Sequence, residues 1–336
     1  MIIELLLPES KDLDVNSEII LKDNDHFNEK FELYHVKNIN NTKNKFLANA
    51  IYIYIVTVDL MNYETVFEKY SDTFYSNKIY IKEKYNLCDP LTYQLFNLGN
   101  IEDNHFIVET CCAQNKLQEL DNLFCLNSNI YYDEKCMDNC SEYDDIKILD
   151  WWLNSGLELK YSEYAISTAS YRGHINVLNW WLNSGLELKY SEQSINCTMF
   201  NYTTDILDWW LNSGLELKYT HDIMDNTHNI QILDWWLNSG LELKYTHEAM
   251  DHASSVDILE WWLNSGLELK YTINAIELSI TKQDIDILNW WLNSGLEIKF
   301  DKSRITCQND TIIINGIVQH NAINIINYCK KMGLIE

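Results

Sequence analysis

Six copies of one short Trp-containing segment constrain the fold of this chain more than any other feature of its sequence. The first copy reads Trp-Trp-Leu-Asn-Ser-Gly-Leu-Glu-Leu-Lys-Tyr and occupies residues 151–161. The six Trp pairs are spaced by 29, 29, 26, 26 and 29 residues, and together they contain all 12 Trp of the chain. A fixed period of roughly 20 to 50 residues is typical of stacked repeats, because one such repeat is too short to bury a core alone.

Each repeat is predicted to fold as two helices joined by a turn. In the repeat that begins at Ser162, the hydroxyl of this residue can cap the first helix, and Gly173 can end that helix. Val177 and Trp181 then lie on one apolar face of a second helix, which Gly185 is predicted to end with a positive φ. One Trp of each pair is expected in the core and the other between repeats. Structural roles are therefore assigned to these residues: Trp151, Trp152, Gly156, Trp180, Trp181, Gly185, Trp209, Trp210, Gly214, Trp235, Trp236, Gly240, Trp261, Trp262, Gly266, Trp290, Trp291 and Gly295.

The segment from Gly173 to Gly185 resembles the second half of an ankyrin repeat. It reads Gly-His-Ile-Asn-Val-Leu-Asn-Trp-Trp-Leu-Asn-Ser-Gly, where ankyrin repeats have Gly-His-x-x-[Ile/Val]-[Val/Leu]-x-x-Leu-Leu-x-x-Gly. The Thr-Pro-Leu-His opening of ankyrin repeats is missing, and the repeat is about four residues shorter than their ~33. The acidic, Trp-rich chain is similar to the ankyrin-type proteins of giant DNA viruses of amoebae. This resemblance implies a right-handed solenoid of paired antiparallel helices that binds another protein.

The fold class is accordingly predicted as mainly α, an ankyrin-like solenoid of helix-turn-helix repeats with a small α+β N-terminal domain. Residues 101–336 are assigned to the repeat array, in which the first repeats are degenerate and the regular repeats span 133–300. Residues 301–336 are assigned to a C-terminal capping repeat, because a helix-like segment there ends at Gly333 without a Trp pair. Little strand is expected after residue 104.

Residues 1–100 contain no Trp and are predicted to form the small α+β domain, whose fold the sequence leaves open. Segments rich in β-branched and aromatic residues are predicted as strands at 2–7, 50–58 and 78–81. Asp89 and Pro90 are typical of the start of a helix, and Gly99 of its end. The polar residues 11–45 are predicted to be loop with short helical pieces.

The fifth residue after each predicted helix cap forms the candidate partner-binding surface. It follows a column of medium-sized apolar residues and is rotated by about 100° from it, so it is expected to point out of the helix layer. A mostly acidic column of this kind can steer a basic partner, although it can equally be an ordinary solvated face. The column consists of Asp138, Ser167, Asn196, Asp225, Asp251 and Glu277.

The composition limits the partners and the compartment. A formal net charge of −25 repels phosphate groups, so neither nucleic acid nor an anionic membrane is expected as a partner, and we expect a monomer that binds protein. Nine Cys without a Cys-x-x-Cys pair fit a reducing cytosol, that of the host cell if the protein is viral. Cys136 and Cys140 are predicted to be packing residues on one helix face, and no metal or cofactor is expected.

No nucleotide-binding loop, nucleophile elbow or zinc-protease motif occurs in the sequence. His221 and His247 each follow a helix cap and are predicted to be solvated first-turn residues. The predicted function is therefore a non-enzymatic protein–protein interaction scaffold for an unknown, possibly basic, protein. One alternative is an adaptor whose N-terminal domain recruits an effector such as a ubiquitin ligase. Another is an enzyme within residues 1–98.

Overall fold

The computed structural model describes residues 2–335 apart from 10, 21–30, 35–46, 49, 64, 71–72, 127–128, 202, 309, 315 and 321. The chain divides into two compact units. The first comprises Met1–Ala169 and Asn176–Leu186, and the second comprises Ser170–Ile175 and Glu187–Glu336. The first contains a seven-stranded sheet and helices, and the second contains helices and a three-stranded sheet.

The seven-stranded sheet is antiparallel at every pairing that the structure describes. Its strands are β1 (Ile2–Glu9), β2 (Glu18–Ile20), β3 (Phe31–Tyr34), β4 (Tyr52–Asp59), β5 (Phe67–Tyr70), β6 (Thr73–Ser76) and β7 (Lys78–Asn86), in the order β2-β7-β4-β1-β3-β6-β5. The two long central strands pair with Leu6 opposite Ile55. Side chains on both faces of β4 are largely buried, which explains the nearly continuous run of Ile, Tyr and Val in this strand.

The predicted strands near residues 2–7, 50–58 and 78–81 are confirmed, and the last one continues to Asn86. The prediction of loop for residues 11–45 is wrong at β2 and β3, while residues 21–30 and 35–46 of this segment lie outside the described residues. Strands of three or four residues carry little local signal, and these depend on distant partners, since β3 pairs with both β1 and β6. Helix α1 (Pro90–Leu95) begins as predicted, with the Asp89 carboxylate accepting the backbone N–H of Leu91 at 2.9 Å.

Helices follow one another in pairs from residue 107 onward. Those that lie wholly or mostly in the first compact unit are α2 (Ile107–Ala113), α3 (Leu117–Leu126), α4 (Lys135–Cys140), α5 (Lys147–Asn154), α6 (Tyr164–Arg172) and α7 (Ile175–Asn183). Those of the second are α8 (Gln193–Asn196), α9 (Asp205–Asn212), α10 (Asp222–Asp225), α11 (Ile230–Asn238), α12 (Glu248–Asp251), α13 (Val256–Asn264), α14 (Asn274–Thr281), α15 (Ile285–Asn293) and α16 (Ile323–Lys331). The chain passes between the two units within α6, at the start of α7 and after Leu186. The first helices α10 and α12 are single turns and belong to the two 26-residue repeats, whereas α8, in a 29-residue repeat, continues as a 3-10 helix over Cys197–Phe200.

The predicted helix ends after the Trp pairs are confirmed. The six Gly residues after the pairs have φ between 75° and 79°, a region that residues with a Cβ rarely adopt. The preceding Ser completes each end: the Ser184 hydroxyl donates to the carbonyl of Trp181 at 2.8 Å and accepts the N–H of Leu186 at 3.2 Å. The second helix therefore stops at the same point in every repeat.

The second Trp of every pair is a core residue, as predicted. Trp152, Trp181, Trp210, Trp236, Trp262 and Trp291 are all at most 1% exposed. Each lies against the ring of the Tyr that ends the preceding connector, with ring centroids 4.6–5.3 Å apart. The first Trp of each pair packs edge to face on the second, at centroid distances of 5.0–5.2 Å.

The segment before the last helix differs from the prediction of little strand after residue 104. This segment contains an antiparallel sheet of β8 (Ile305–Gln308), β9 (Thr311–Ile314) and β10 (Ile317–Gln319), in the order β10-β9-β8. Side chains alternate between the two faces of β9, so Ile312 and Ile314 are buried on one face. Strand β9 packs against α14. Helix α16 and a left-handed Gly333 follow, as predicted for the capping repeat.

Replacement of Gly185 tests the left-handed helix end. Gly185→Val is expected to lower the free energy of unfolding by about 1–2 kcal/mol, because a β-branched residue resists positive φ. No atom lies within 4 Å of the position that a Cβ would occupy, so backbone strain is the expected cause. Gly185→Asn is the control, since Asn tolerates this conformation, and urea unfolding measures both. Equal losses for Val and Asn would contradict this explanation.

Removal of one core indole tests the packing between repeats. Trp181→Ala is expected to cost about 3–5 kcal/mol, because this 1% exposed ring leaves a cavity and its Nε1 no longer donates to the Ser141 hydroxyl, 3.2 Å away. Leu153→Ala, at a 37% exposed position, is the control and should cost less than about 1 kcal/mol. Comparable losses in chemical unfolding would show that the indole does not fix the packing.

Candidate functional site

The predicted partner-binding column is buried, so the expectation that it points out of the helix layer is wrong. Asp138, Ser167, Asn196, Asp225, Asp251 and Glu277 are between 3% and 9% exposed. The reason is the width of the buried arc on the first helices. In α12, for example, Ala249 and Met250 are buried together with Asp251, because neighbouring first helices pack on both sides.

The three Asp side chains of the column bind the helix cap of the following repeat. The Asp225 carboxylate accepts the N–H of Thr246 at 2.8 Å and its hydroxyl at 2.6 Å. Asp251 accepts the same two groups of Thr272. Asp138 likewise accepts the N–H and hydroxyl of Ser162. Buried carboxylates are stable only with such partners, so this column joins repeats rather than facing solvent.

Two other members of the column, Asn196 and Glu277, have different partners or different hydrogen bonds. Asn196 accepts the N–H of Thr220 at 3.1 Å and donates its amide to the Thr220 hydroxyl at 2.8 Å. After the last regular repeat, no equivalent Thr follows, and the longer Glu277 instead lies 3.0 Å from the Arg304 guanidinium. Each variant thus supplies a partner for the buried group.

His221 and His247 are about half exposed, in agreement with their predicted first-turn positions. Their rings are not fully solvated, however. The Nδ1 of His221 lies 3.0 Å from Asp225 Oδ2, and the Nδ1 of His247 lies 3.1 Å from Asp251 Oδ2. The two His side chains therefore cover the buried carboxylates from the solvent side.

The connectors form a second set of contacts between consecutive repeats. The Lys218 ammonium lies 4.4 Å from the ring centre of Tyr190 and donates to the Tyr190 carbonyl at 3.3 Å. The Tyr190 hydroxyl donates to the carbonyl of Glu216 at 3.2 Å. Equivalent Lys–Tyr pairs are Lys160 with Tyr132, Lys244 with Tyr219, Lys270 with Tyr245 and Lys299 with Tyr271. These lysines are consequently engaged in holding connectors together.

The first Trp of a pair binds a side chain on the preceding second helix. The Nε1 of Trp235 donates to Asp208 Oδ1 at 2.7 Å, and that of Trp261 donates to Asp234 Oδ1 at 2.7 Å. Further bonds of this type run from Trp151 to Asp121, from Trp180 to Asp150 and from Trp290 to Glu260. In the terminal repeat, the hydroxyl of Tyr328 donates to Asn289 at 2.7 Å in the same place. These acceptors are at the surface, unlike the buried column.

Three consecutive grooves lie between the second helices of the second compact unit. Groove A lies between α9 and α11, with Asp208 and Trp235 in its wall; groove B lies between α11 and α13, with Asp234 and Trp261; groove C lies between α13 and α15, with Glu260 and Trp290. Their volumes are about 550, 460 and 430 Å³. Similar size and chemistry follow from the near-identity of the second helices.

A larger groove of about 730 Å³ lies between α3 and α5 of the first compact unit. Asp121, Asp150, Phe124 and Trp151 line it, so it shares the carboxylate and indole of the other grooves. It differs in containing the cation Lys147, which lies 3.0 Å from Asp145. The sequence prediction missed all of these grooves, although the acidic residue directly before most Trp pairs was a visible signal.

Three of the buried thiols, those of Cys112, Cys136 and Cys197, are held in their protonated form. Burial raises the pKa of Cys136 and Cys112 well above the ordinary value, and raises that of Cys197 to about 12. The predicted packing role of Cys136 and Cys140 agrees with their burial, and Cys140 donates to the Cys136 carbonyl at 3.1 Å. Across the described residues, no group of three or more His, Cys, Asp or Glu side chains is arranged to hold a metal ion.

A comparison with known proteins found a viral relative of this chain. A protein of Acanthamoeba polyphaga mimivirus, described as uncharacterized, is 39% identical to this chain over 85 residues. The match covers 25% of this chain and about a quarter, 26%, of the relative. No family model matches the sequence. The chain therefore has a giant-virus relative.

None of the helices in the described part of the chain has the length and apolar character needed to cross a membrane.

Substitution of Asp251 tests the bond between repeats. Asp251→Ala is expected to cost about 1–3 kcal/mol, because the N–H and hydroxyl of Thr272 lose their buried acceptor. Asp251→Asn should cost less than about 1 kcal/mol, because Asn196 and Thr220 already make this bond. Urea unfolding at neutral pH compares the two, and an Asn variant as unstable as the Ala variant would exclude this role.

Proposed function

We propose that this chain is a non-enzymatic module that binds another protein through an ankyrin-like solenoid formed by residues 101–336. The observation that carries the proposal is the repetition of three contacts between consecutive repeats. These are the buried polar bond to the next cap, the Tyr–Trp packing and the bond from the first Trp to the preceding helix. Such repetition presents an equivalent surface at regular intervals, which is how repeat proteins form extended binding faces.

The ankyrin-like sequence of the second helices supports the same proposal. The helix pairs, the left-handed Gly ends and the core Trp column are those that the ankyrin resemblance implies. A fold alone does not determine function, so the proposal depends on the exposed chemistry of the repeats. That chemistry is acidic on the second helices, which favours a basic protein as the partner.

The proposal is tested by capture of partners from amoebal cytosol on the immobilised full chain. An unrelated acidic protein of similar net charge is the control, because charge alone retains basic proteins. We expect at least one protein to be enriched over this control and, after purification, to bind saturably with a Kd of about 10 μM or tighter in calorimetry. If no purified protein binds saturably at ~100 μM, the proposed function is wrong.

A further inference from the structure

We propose that grooves A, B and C bind an extended, basic segment of a protein in which Lys or Arg recurs at every third residue. This inference rests on the proposed function and specifies the chemistry of its partner. It concerns a surface of second helices, whereas the first-helix column of the sequence prediction is buried. Three properties of the grooves support it, namely their charge, their indole walls and their spacing.

The grooves are negatively charged, and no cation among their lining residues balances this charge. Five exposed carboxylates line the three grooves: Asp208, Asp234, Asp257, Glu260 and Asp286. All lining residues belong to the described part of the chain, and none of them is Lys, Arg or His. The connector lysines are bound to Tyr carbonyls and rings, as in Lys244 with Tyr219, and they do not line the grooves.

The Trp of each groove fixes a carboxylate in place and leaves part of it available. Trp235 and Trp261 occupy Oδ1 of Asp208 and Asp234, and within the described chain Oδ2 of these residues accepts no hydrogen bond. The half-buried indoles of Trp235 and Trp261 also line the grooves, next to aliphatic side chains such as Leu211 and Leu237. A carboxylate beside an indole suits a guanidinium or ammonium group, which can pair with the first and lie on the second.

The spacing of the grooves selects an extended chain. Packed helices lie about 8–10 Å apart, so neighbouring grooves are separated by about this distance. One turn of polyproline II helix contains three residues and spans about 9 Å, so every third side chain points to the same side at about the spacing of the grooves. In a β-strand, by contrast, side chains three residues apart point to opposite faces. A cation at every third residue of a polyproline II segment therefore meets one groove after another, whereas one turn of an α-helix rises by only about 5 Å.

The test uses calorimetry of the full chain with a synthetic peptide of consecutive Arg-Pro-Pro triplets. A second peptide has the same composition but all its Arg residues in one block. The groove variant combines Asp208→Asn, Asp234→Asn and Glu260→Gln, which keep an oxygen for each Trp Nε1. The matched control combines Glu216→Gln, Glu242→Gln and Glu268→Gln, three exposed connector residues, and changes the net charge equally.

We expect the triplet peptide to bind about ten-fold more tightly than the block peptide, and the groove variant to lose about ten-fold in affinity while the control loses less than about two-fold. Unchanged thermal unfolding of both variants verifies their fold. Equal binding of the two peptides, or equal losses in the two variants, would mean that the overall negative field attracts cations without the grooves, and would overturn the inference. Spermine is titrated into the same proteins. If it bound as tightly as the triplet peptide and lost as much affinity in the groove variant, a small polycation would suffice and the inference would be overturned.

Failure of this inference is distinguishable from failure of the proposed function. A partner purified through the capture experiment is titrated into the same two variants. An identical Kd for wild type and groove variant would show that the chain binds protein elsewhere, so the proposed function would stand and the groove inference would fall. A loss confined to the groove variant supports both.

Discussion

The indole of the second Trp in each pair is the constraint on which the repeated part of the structure depends. It is a large, rigid group with no exposure, and it lies against the Tyr ring of the preceding connector. The Lys of the following connector then covers the same Tyr from another side, as Lys244 does for Tyr219. Because the indole, the Tyr and the Lys occupy one contact, a change in any of them must be matched in the neighbouring repeat. This coupling explains why second helices and connectors are nearly identical in sequence, while first helices vary.

The parts of the fold that the sequence predicted are those specified by local chemistry. Gly185 after Asn-Ser, Asp89 before Pro90 and the paired Trp residues act within a few positions of themselves, and the structure has them in the predicted roles. The parts that it did not predict depend on distant partners. The short strands β2, β3, β5 and β6 are stabilised by pairing across the sheet, and β8 to β10 take the place of a first helix. The candidate site failed for a related reason: the first helices on either side bury Asp225, and its partner Thr246 belongs to the next repeat, neither of which a helix rotation of about 100° can reveal.

The first compact unit bears on the adaptor hypothesis, which stays a prediction. Residues 1–98 share buried contacts with the residues that follow them: Cys88 Sγ lies 3.8 Å from Cys111 Sγ, and the Asn104 amide donates to the Tyr93 hydroxyl at 2.8 Å. The hydroxyl of Tyr52 on β4 also donates to Glu119 on α3. Deletion of residues 1–98 would therefore expose the core of α2 and α3, and a loss of binding after it would report misfolding as readily as a lost effector site. Point variants on exposed side chains separate these two causes.

The carboxylates that give the chain its net charge of −25 include a buried group and an exposed group, each with its own kind of partner. Buried ones such as Asp138, Asp225 and Asp251 are satisfied by N–H and hydroxyl groups, so they need no cation from this chain. Exposed ones such as Asp208 and Asp234 are fixed by indole N–H groups, which are also neutral. Five of the 25 Lys and Arg residues are held at the connectors by Tyr carbonyls and rings, namely Lys160, Lys218, Lys244, Lys270 and Lys299. Neutral donors thus orient the carboxylates without cancelling their charge. The negative charge that remains on the second helices favours binding of a basic partner.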